Sequence, residues 1–334
     1  MLLKILLRCG YLELKYFQLS NLLGGRELSL DNLFIFRLLF SVFFCGTLLI
    51  TNWISEFNSL YILTVIFLGL GFSEKSRLFI FLACCSVLFT RTFLNEEFVN
   101  PTAITVRLFV YLAVAFISSE VVKKYHETKN HQTELVFTLA KSLDSRDSYT
   151  ANHSEKVANY ALMIAQEMCL SKKQCEAIYI GGLLHDIGKI GIPESVLLKP
   201  SRLTEEEFKL IKLHTTIGYE TLKYISDFKK NGVLDMVLYH HERYDGKGYP
   251  HSLKKEEIPL AARILTVADS FDAMTTERVY KPIMELNYAM REVEKNIGGQ
   301  FDPEAAKAFL TILEREGMGI FQKKQPDLSK KLHI

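Results

Sequence analysis

Four long apolar runs in the N-terminal part of the chain constrain its fold more than any other feature. They extend over Leu33 to Trp53, Leu60 to Phe72, Leu78 to Thr90, and Thr102 to Val122. The first and last approach the roughly 20 residues that a helix needs to cross a bilayer, whereas the two middle runs are shorter and also suit buried helices of a soluble protein. The runs predict four helices, over about 33–53, 58–73, 77–94 and 102–122.

The charges between the runs favour membrane spans over a soluble helical domain. If all four helices cross, Lys75 and Arg77 share one side with the basic residues that precede the first run and follow the last. The opposite loops hold Glu56, Glu96 and Glu97 with a single basic residue, Arg91. This is the segregation that the positive-inside rule describes. We therefore expect residues 1–122 to form a multi-pass membrane region, with the rest of the chain cytoplasmic and the lipid bilayer as a partner.

Arginines also lie near the ends of the runs, at Arg37, Arg91 and Arg107. A long cationic side chain near a membrane end can reach the headgroups. We expect these three to do so rather than to bind a ligand.

The composition becomes polar after the last run, but the helical pattern continues. Residues 123–143 carry apolar positions at helical spacing from Leu135 to Leu143. This predicts a connector helix that could transmit a signal or mediate a homodimer, although a plain linker fits equally well.

Global composition excludes some partners. The chain has 40 Lys and Arg against 38 Asp and Glu, so it has no strong attraction for nucleic acid, and we expect no DNA partner. Its six cysteines form no C-x-x-C pair, which favours reduced thiols over a zinc ribbon or a disulfide scaffold.

The C-terminal half is typical of an all-α domain over residues 144–315, followed by a basic tail at 316–334. Apolar residues recur at helical spacing after His153 and, less regularly, after Thr204, where Thr204 to Glu207 resembles a capping box. Further helices are predicted at Lys172–His185, Val233–Glu242, Ile258–Met274, Leu286–Ile297 and Pro303–Arg315.

Histidine and aspartate occur together at several places in this half. Imidazole and carboxylate are the natural ligands of divalent Mn, Fe, Zn or Ni. Any one such residue could instead be a hydrogen-bonded structural group, but Asp269 lies in an apolar helix, where an isolated charge is costly unless it is paired. The candidate ligands are His153, His185, Asp186, His214, His240, His241 and Asp269.

Four sequence strings resemble the HD-GYP family, a subgroup of the HD-domain metallohydrolases. They are LLHDIGKIGIP (Leu183–Pro193), HHERYDGKGYP (His240–Pro250), IPLAARILTVADSFDAMTTERVYK (Ile258–Lys281) and GGQFDP (Gly298–Pro303). The resemblance covers about Leu143 to Leu310 and none of the apolar runs. It implies an all-α enzyme that hydrolyses cyclic di-GMP to pGpG, with GMP as a further product.

The resemblance also assigns the ligands to two divalent ions, Fe or Mn. His153, the His185–Asp186 pair and Asp269 match the basic HD-domain set, and the remaining three histidines match the ligands of a second ion, with Asp186 shared. Some relatives hold a third metal with a Glu four residues before the first ligand. That position is Tyr149 here, and a phenol with a pKa of about 10 is a poor ligand at neutral pH. We therefore expect two metals.

The expected chemistry follows from charge. Two cations can neutralise a phosphodiester and lower the pKa of a water, so that a hydroxide held between the metals attacks phosphorus. Asp186 and Lys189 are the candidate catalytic residues. Lys189 follows His185 by four residues, which would place both on one helical face, and its ammonium could donate to a phosphate oxygen.

By the same resemblance, Lys189, Tyr249, Arg278 and Lys281 contact the substrate. Arginine can pair bidentately with guanine or phosphate. The turn at Gly246 to Pro250 could form a rim for the substrate or a docking surface for a protein partner. Two other functions remain open: a phosphodiesterase for another cyclic dinucleotide or nucleotide, and a non-catalytic nucleotide-binding membrane receptor.

Overall fold

The structure is a computed structural model that describes residues 33–50, 58–94, 100–145, 152–276 and 285–321. Every regular element in these ranges is an α-helix or a 3₁₀ helix, so the prediction of an all-α chain is confirmed for the described residues. The chain forms two compact units, and the boundary between them falls after His131.

Each apolar run of the first unit contributes most of its length to one helix, although the second run ends one residue beyond its helix and residues 51–53 of the first run lie outside the described residues. The helices are α1 (Leu33–Ile50), α2 (Asn58–Gly71), α3 (Arg77–Leu94) and the first part of α4 (Pro101–Asp144). Among the described residues, α4 is the one helix long and apolar enough to cross a membrane, while α1 and α2 contain shorter apolar stretches. Helix α4 has 44 residues and runs without a break through the predicted connector into the second unit.

Arg91 contradicts its predicted position at a membrane surface. Its side chain is 7% exposed and packs inside the first unit. The guanidinium donates to the Tyr111 hydroxyl at 2.8 Å and lies over the ring of Tyr61. The prediction that it reaches outward is wrong, because a hydrogen bond and an aromatic ring retain the cation among the helices.

The second unit contains ten further α-helices within its described residues. They are α5 (His153–Glu167), α6 (Lys172–Leu184), α7 (Glu194–Leu197), α8 (Glu205–Lys212), α9 (His214–Leu222), α10 (Ser226–Lys230), α11 (Val233–Tyr239), α12 (Leu260–Thr275), α13 (Leu286–Lys295) and α14 (Pro303–Glu316).

The boundaries of three helices matter for the candidate ligands. The capping box at Thr204 is confirmed, with both reciprocal hydrogen bonds to Glu207 present. The helical pattern that follows is divided into α8 and α9, so that His214 begins a new helix. Helix α11 ends at Tyr239 rather than at the predicted Glu242, which leaves the paired histidines beyond its end.

Helix α5 lies at the centre of this unit and packs against α6, α12 and α14. The rings of Tyr160, Phe271 and Phe309 meet there, two of the three pairs at close to right angles, which is a favourable aromatic geometry. Gly182 of α6 lies so close to α5 that a Cβ would be 2.5 Å from the Ala158 Cα. This close approach holds α5 and α6 together next to the candidate ligands that they carry.

The aromatic core should dominate the stability of the second unit. We predict that Phe309→Ala costs about 3–5 kcal/mol of unfolding free energy, because it removes a fully buried ring from a packed cluster. Phe208→Ala is the matched control: this ring is 47% exposed, so the change should stay within about 0.5 kcal/mol. Urea unfolding followed by circular dichroism measures both, and equal losses would contradict this view of the core.

Candidate metal centre

The seven candidate ligands come from five separate segments of the second unit. Most of them stand at helix ends: His153 begins α5, His214 begins α9, the His185–Asp186 pair follows α6, and the His240–His241 pair follows α11. Asp269 lies inside α12. The structure brings all seven into one cluster.

Asp186 lies at the centre of the cluster. Its Oδ2 is 3.2 Å from His185 Nε2 and 3.7 Å from His153 Nε2, and its Oδ1 is 3.4 Å from His214 Nε2. A second carboxylate oxygen, Asp269 Oδ1, lies 3.4 Å from His153 Nε2. One carboxylate therefore presents its two oxygens to two groups of imidazoles.

Two groups of these residues could each hold a metal ion. The first contains His153, His185 and Asp186, and the second contains His214, His240 and His241. Within each group, all the candidate ligand atoms lie within 4.8 Å of one another. Imidazole nitrogens and a carboxylate oxygen are a donor set that suits divalent transition metals.

Backbone carbonyls determine which nitrogen of three imidazoles can bind a metal. Nδ1 of His185, His214 and His240 lies 2.7, 2.7 and 2.9 Å from the carbonyl oxygen three residues earlier. Each of those carbonyls belongs to the last turn of the preceding helix, α6, α8 or α11, where carbonyls lack an intrahelical partner. Because a carbonyl only accepts, Nδ1 carries the proton and the Nε2 lone pair remains available as a ligand.

Two observations test whether a cation fits these residues. His185 Nε2 is buried, with 1% of the residue exposed, and makes no well-directed hydrogen bond although Asp186 Oδ2 lies 3.2 Å away. The Nε2 atoms of His214 and His240 are 3.2 Å apart, and two lone pairs at that distance repel unless a cation lies between them. The residues fit a metal centre on both counts.

The charge balance gives a third indication. Burial lowers the pKa of His240 and of His241 well below the ordinary value, so both rings are neutral at pH 7, as ligands must be. Burial alone raises the pKa of Asp186, but Lys189 and His185 hold it well below its usual range. Burial likewise lowers the pKa of His185, yet the two nearby carboxylates raise it to about 9. The buried carboxylates therefore attract positive charge.

Asp272 is a site residue that the sequence reasoning missed. Its Oδ2 accepts the Nδ1 proton of His153 at 2.7 Å, and Thr276 Oγ1 donates to its other oxygen at 3.0 Å. The carboxylate thus orients the ring so that Nε2 faces Asp186 and Asp269. The signal was present in the sequence: Asp272 lies three residues after Asp269 and so on the same side of an apolar helix.

Lys189 reaches the cluster by a different route from the predicted one. His185 ends α6, and Lys189 lies in a 3₁₀ helix, Ile187–Gly191, so the two residues do not share an α-helical face. The prediction of a shared face is wrong because the α-helix ends before Asp186, and the 3₁₀ turn that follows brings Lys189 close to the Asp186 carboxylate. The Lys189 ammonium is 2.6 Å from Asp186 Oδ2, and its side chain keeps 21% of its surface exposed.

The turn after α11 is tied to the paired histidines. Tyr249 donates its backbone N–H to the His241 carbonyl, and the two rings are 4.8 Å apart. Glu242 Oε1 accepts the backbone N–H of His251 at 2.7 Å. A Cβ on Gly248 would be 2.4 Å from the Arg243 nitrogen, so only glycine permits the chain to pass this close.

Three residues of the prediction lie outside the described residues. Arg278 and Lys281 were expected to contact the substrate, and Tyr149 was expected to exclude a third metal. These remain predictions.

Comparison with known proteins identifies the class. The family model described as HD domain matches residues 138–305, half of the chain. The chain belongs to the HD domain family.

Relatives with assigned names share this region. The chain is 40% identical over 203 residues to a cyclic di-GMP phosphodiesterase of Thermotoga maritima, covering 61% of this chain and 55% of the relative. It is 41% identical over 186 residues to a cyclic di-GMP phosphodiesterase response regulator of Xanthomonas campestris pv. campestris, covering 55% and 49%. It is 37% identical over 185 residues to a 3′3′-cGAMP-specific phosphodiesterase of Vibrio cholerae, covering 54% and 40%. The chain thus spans about half the length of these relatives.

Asp272 should matter for metal affinity although it is not a ligand. We predict that Asp272→Asn weakens metal binding about 10- to 100-fold, the usual cost of losing the carboxylate partner of a ligating histidine. The exposed Asp227 of α10 gives the matched control, Asp227→Asn, which should bind metal like the wild type. Calorimetric titration of metal-stripped protein with Mn²⁺ measures both. Wild-type affinity in Asp272→Asn would show that His153 does not need this partner.

Proposed function

We propose that this chain is a metal-dependent phosphodiesterase of the HD-GYP type that hydrolyses cyclic di-GMP to pGpG, with GMP as a further product. The observation that carries the proposal is the position of Asp186, with one carboxylate oxygen towards each group of imidazoles. That arrangement suits two ions sharing a carboxylate, the usual design for in-line displacement at phosphorus. The names of the cyclic di-GMP phosphodiesterases among its relatives support the choice of substrate.

We propose two divalent ions, Fe or Mn, held by the seven candidate ligands. When bound, such ions neutralise phosphate charge and lower the pKa of a water molecule. The proposal of two rather than three ions still depends on Tyr149 in the sequence. The protein's own contribution is to bind Nδ1 of three of these imidazoles to backbone carbonyls, so that Nε2 is directed inwards as the ligand atom.

Lys189 is proposed to bind the negatively charged phosphate of the substrate. Its ammonium lies beside Asp186 and remains partly exposed, so a phosphate that approaches this carboxylate meets a positive charge at the mouth of the cluster. An ammonium donates to a non-bridging phosphate oxygen and stabilises the charge that develops there during displacement. Asp186 and Lys189 together therefore form the proposed catalytic pair.

Tyr249 is proposed to line the substrate site, because its ring lies against the metal-ligand candidate His241 and is half-buried. An aromatic ring in this position could stack on a guanine base. Arg278 and Lys281 are proposed to bind guanine or phosphate on the resemblance alone. The same turn could instead dock a protein partner.

A related substrate is the second candidate. The 3′3′-cGAMP-specific phosphodiesterase of Vibrio cholerae is 37% identical to this chain, so the same metal centre could serve a mixed cyclic dinucleotide. A receptor that binds nucleotide without hydrolysis is the third possibility, but the seven convergent ligands favour an enzyme.

Hydrolysis should depend on Asp186. We predict that the purified full-length chain with Mn²⁺ or Fe²⁺ under reducing conditions converts cyclic di-GMP to pGpG. Asp186→Ala should lower turnover more than about 100-fold. Mutation of a residue that only hydrogen-bonds to a metal ligand already lowers activity by up to about 100-fold, and Asp186 is itself a candidate ligand. Asp227→Ala, a change at an exposed site on α10, should retain full turnover. Chromatography of the nucleotides measures all three.

The same assay separates the alternatives. Faster conversion of 3′3′-cGAMP than of cyclic di-GMP would change the assigned substrate. A metal-loaded wild type that hydrolyses neither would reject the enzyme and leave the receptor. Equal turnover in Asp186→Ala would reject the proposed centre.

We further propose that the first unit anchors the chain in a bacterial inner membrane through four spans, with the metal centre in the cytoplasm. The apolar helices α1 to α4 and the charge segregation in the sequence support this. Residues 123–143 of α4 are proposed as a site of homodimer formation.

Reporter fusions test the topology. Fusions after Asn58, Lys75 and Asn95 should report outside, inside and outside, because four spans with a cytoplasmic N-terminus place successive loops on alternate sides. A fusion after Lys124 should report inside and serves as the reference for the cytoplasmic domain. Any other order contradicts the four-span arrangement.

A further inference from the structure

The end of α4 contacts the start of α5, the helix whose first residue is the candidate ligand His153. Ser154 Oγ donates to Asp144 Oδ1 at 2.7 Å, and the Ser154 backbone N–H also bonds to this carboxylate. Both side chains are buried, with 1% of Ser154 and 7% of Asp144 exposed. The last residue of one helix therefore holds the residue next to the ligand.

A second contact lies one turn earlier in α4. The Lys141 ammonium is 3.1 Å from Glu155 Oε2 and also donates to the side-chain oxygen of Asn152. Glu155 is itself buried. Together, Lys141 and Asp144 contact the residues on both sides of His153.

Helix α5 does not cap itself in the usual way. Its N-cap residue, Asn152, has a left-handed backbone with φ of 66° and makes no side-chain cap hydrogen bond. At most helix starts the N-cap side chain accepts from a backbone N–H of the first turn. Here the Asn152 oxygen is bound to Lys141, and Asp144 accepts the first-turn N–H of Ser154 instead.

A carboxylate at this place is favourable for a further reason. The first N–H groups of a helix have no intrahelical partner and carry partial positive charge. Asp144 supplies negative charge and two accepted hydrogen bonds at that end. The cap of α5 is therefore provided by another helix.

We propose that the last turn of α4, through Asp144 and Lys141, is the N-terminal cap of α5 and positions His153 for metal binding. This rests on the proposed function only in taking His153 as a ligand. Asp272 holds the Nδ1 side of the ring, and the α4 contacts hold the backbone that carries it. Asp144 and Lys141 are positioning residues, because their contacts hold the backbone on both sides of His153.

Metal binding by the full-length chain tests the proposal directly. In metal-stripped Asp144→Ala, calorimetric titration with Mn²⁺ should show about tenfold weaker binding of the ion held by His153, His185 and Asp186. Binding by the group of His214, His240 and His241 should change less than about twofold, because the hydrogen bonds of Asp144 hold the start of α5, which carries none of these three. The control is Glu127→Ala, which removes the same charge from the exposed surface of α4, where Glu127 pairs with Lys124.

Three further variants keep the test independent of folding defects. Ser154→Ala leaves Asp144 and its bond to the Ser154 backbone N–H in place, so it should show a smaller loss confined to the same ion. Lys141→Glu should also weaken that ion, and combining it with Glu155→Lys should restore affinity by re-forming the pair with reversed charges. The melting temperature of each metal-free variant shows whether the unit is folded, and if Asp144→Ala does not fold, these variants decide.

The outcomes are distinct. Wild-type affinity for both ions in Asp144→Ala and Ser154→Ala would overturn the proposal, as would an equal loss of both ions or failure of the charge reversal to rescue. A wild type that binds Mn²⁺ but hydrolyses no cyclic dinucleotide would reject the phosphodiesterase and leave the affinity comparison valid. A wild type that binds no Mn²⁺ would reject the metal centre and, with it, the positioning role.

Discussion

The second unit is organised around one buried carboxylate. Asp186 is 5% exposed, and an ionised carboxylate at such depth is costly unless charges and hydrogen bonds surround it. Lys189 on one side and imidazoles on two others provide that environment. Five separate segments of the chain converge on this point, so the arrangement of the helices and the chemistry of the site depend on the same interaction.

The ends of helices orient the histidines that surround Asp186. A histidine just beyond a helix donates Nδ1–H to a last-turn carbonyl, which satisfies a backbone acceptor and directs Nε2 inwards in one step. Nδ1 of His153 meets a carboxylate, Asp272, instead of a backbone carbonyl. This histidine relies on Asp272 for its ring and on the end of α4 for its backbone. His153 is thus positioned by residues of two other helices, α12 and α4.

That link ties the ligand His153 to the last turn of α4. Helix α4 runs without a break from Pro101 to Asp144. The first unit also retains a buried cation, Arg91, bound to Tyr111 of the same helix. Helix α4 is therefore held by a buried polar contact at Tyr111 and by another at its last residue, Asp144.

The sequence alone determined the helical class, the positions of the apolar helices and the identity of the seven candidate ligands, because helical periodicity, apolar length and the spacing of His and Asp are local properties. It could not place Lys189, whose direction depends on a turn at Asp186, or end α11 before His240, since helix ends depend on contacts with other segments. It also missed Asp272 and Asp144. Their roles come from hydrogen bonds to residues 119 and 10 positions away, and only the tertiary structure decides which buried carboxylate meets which histidine or helix end.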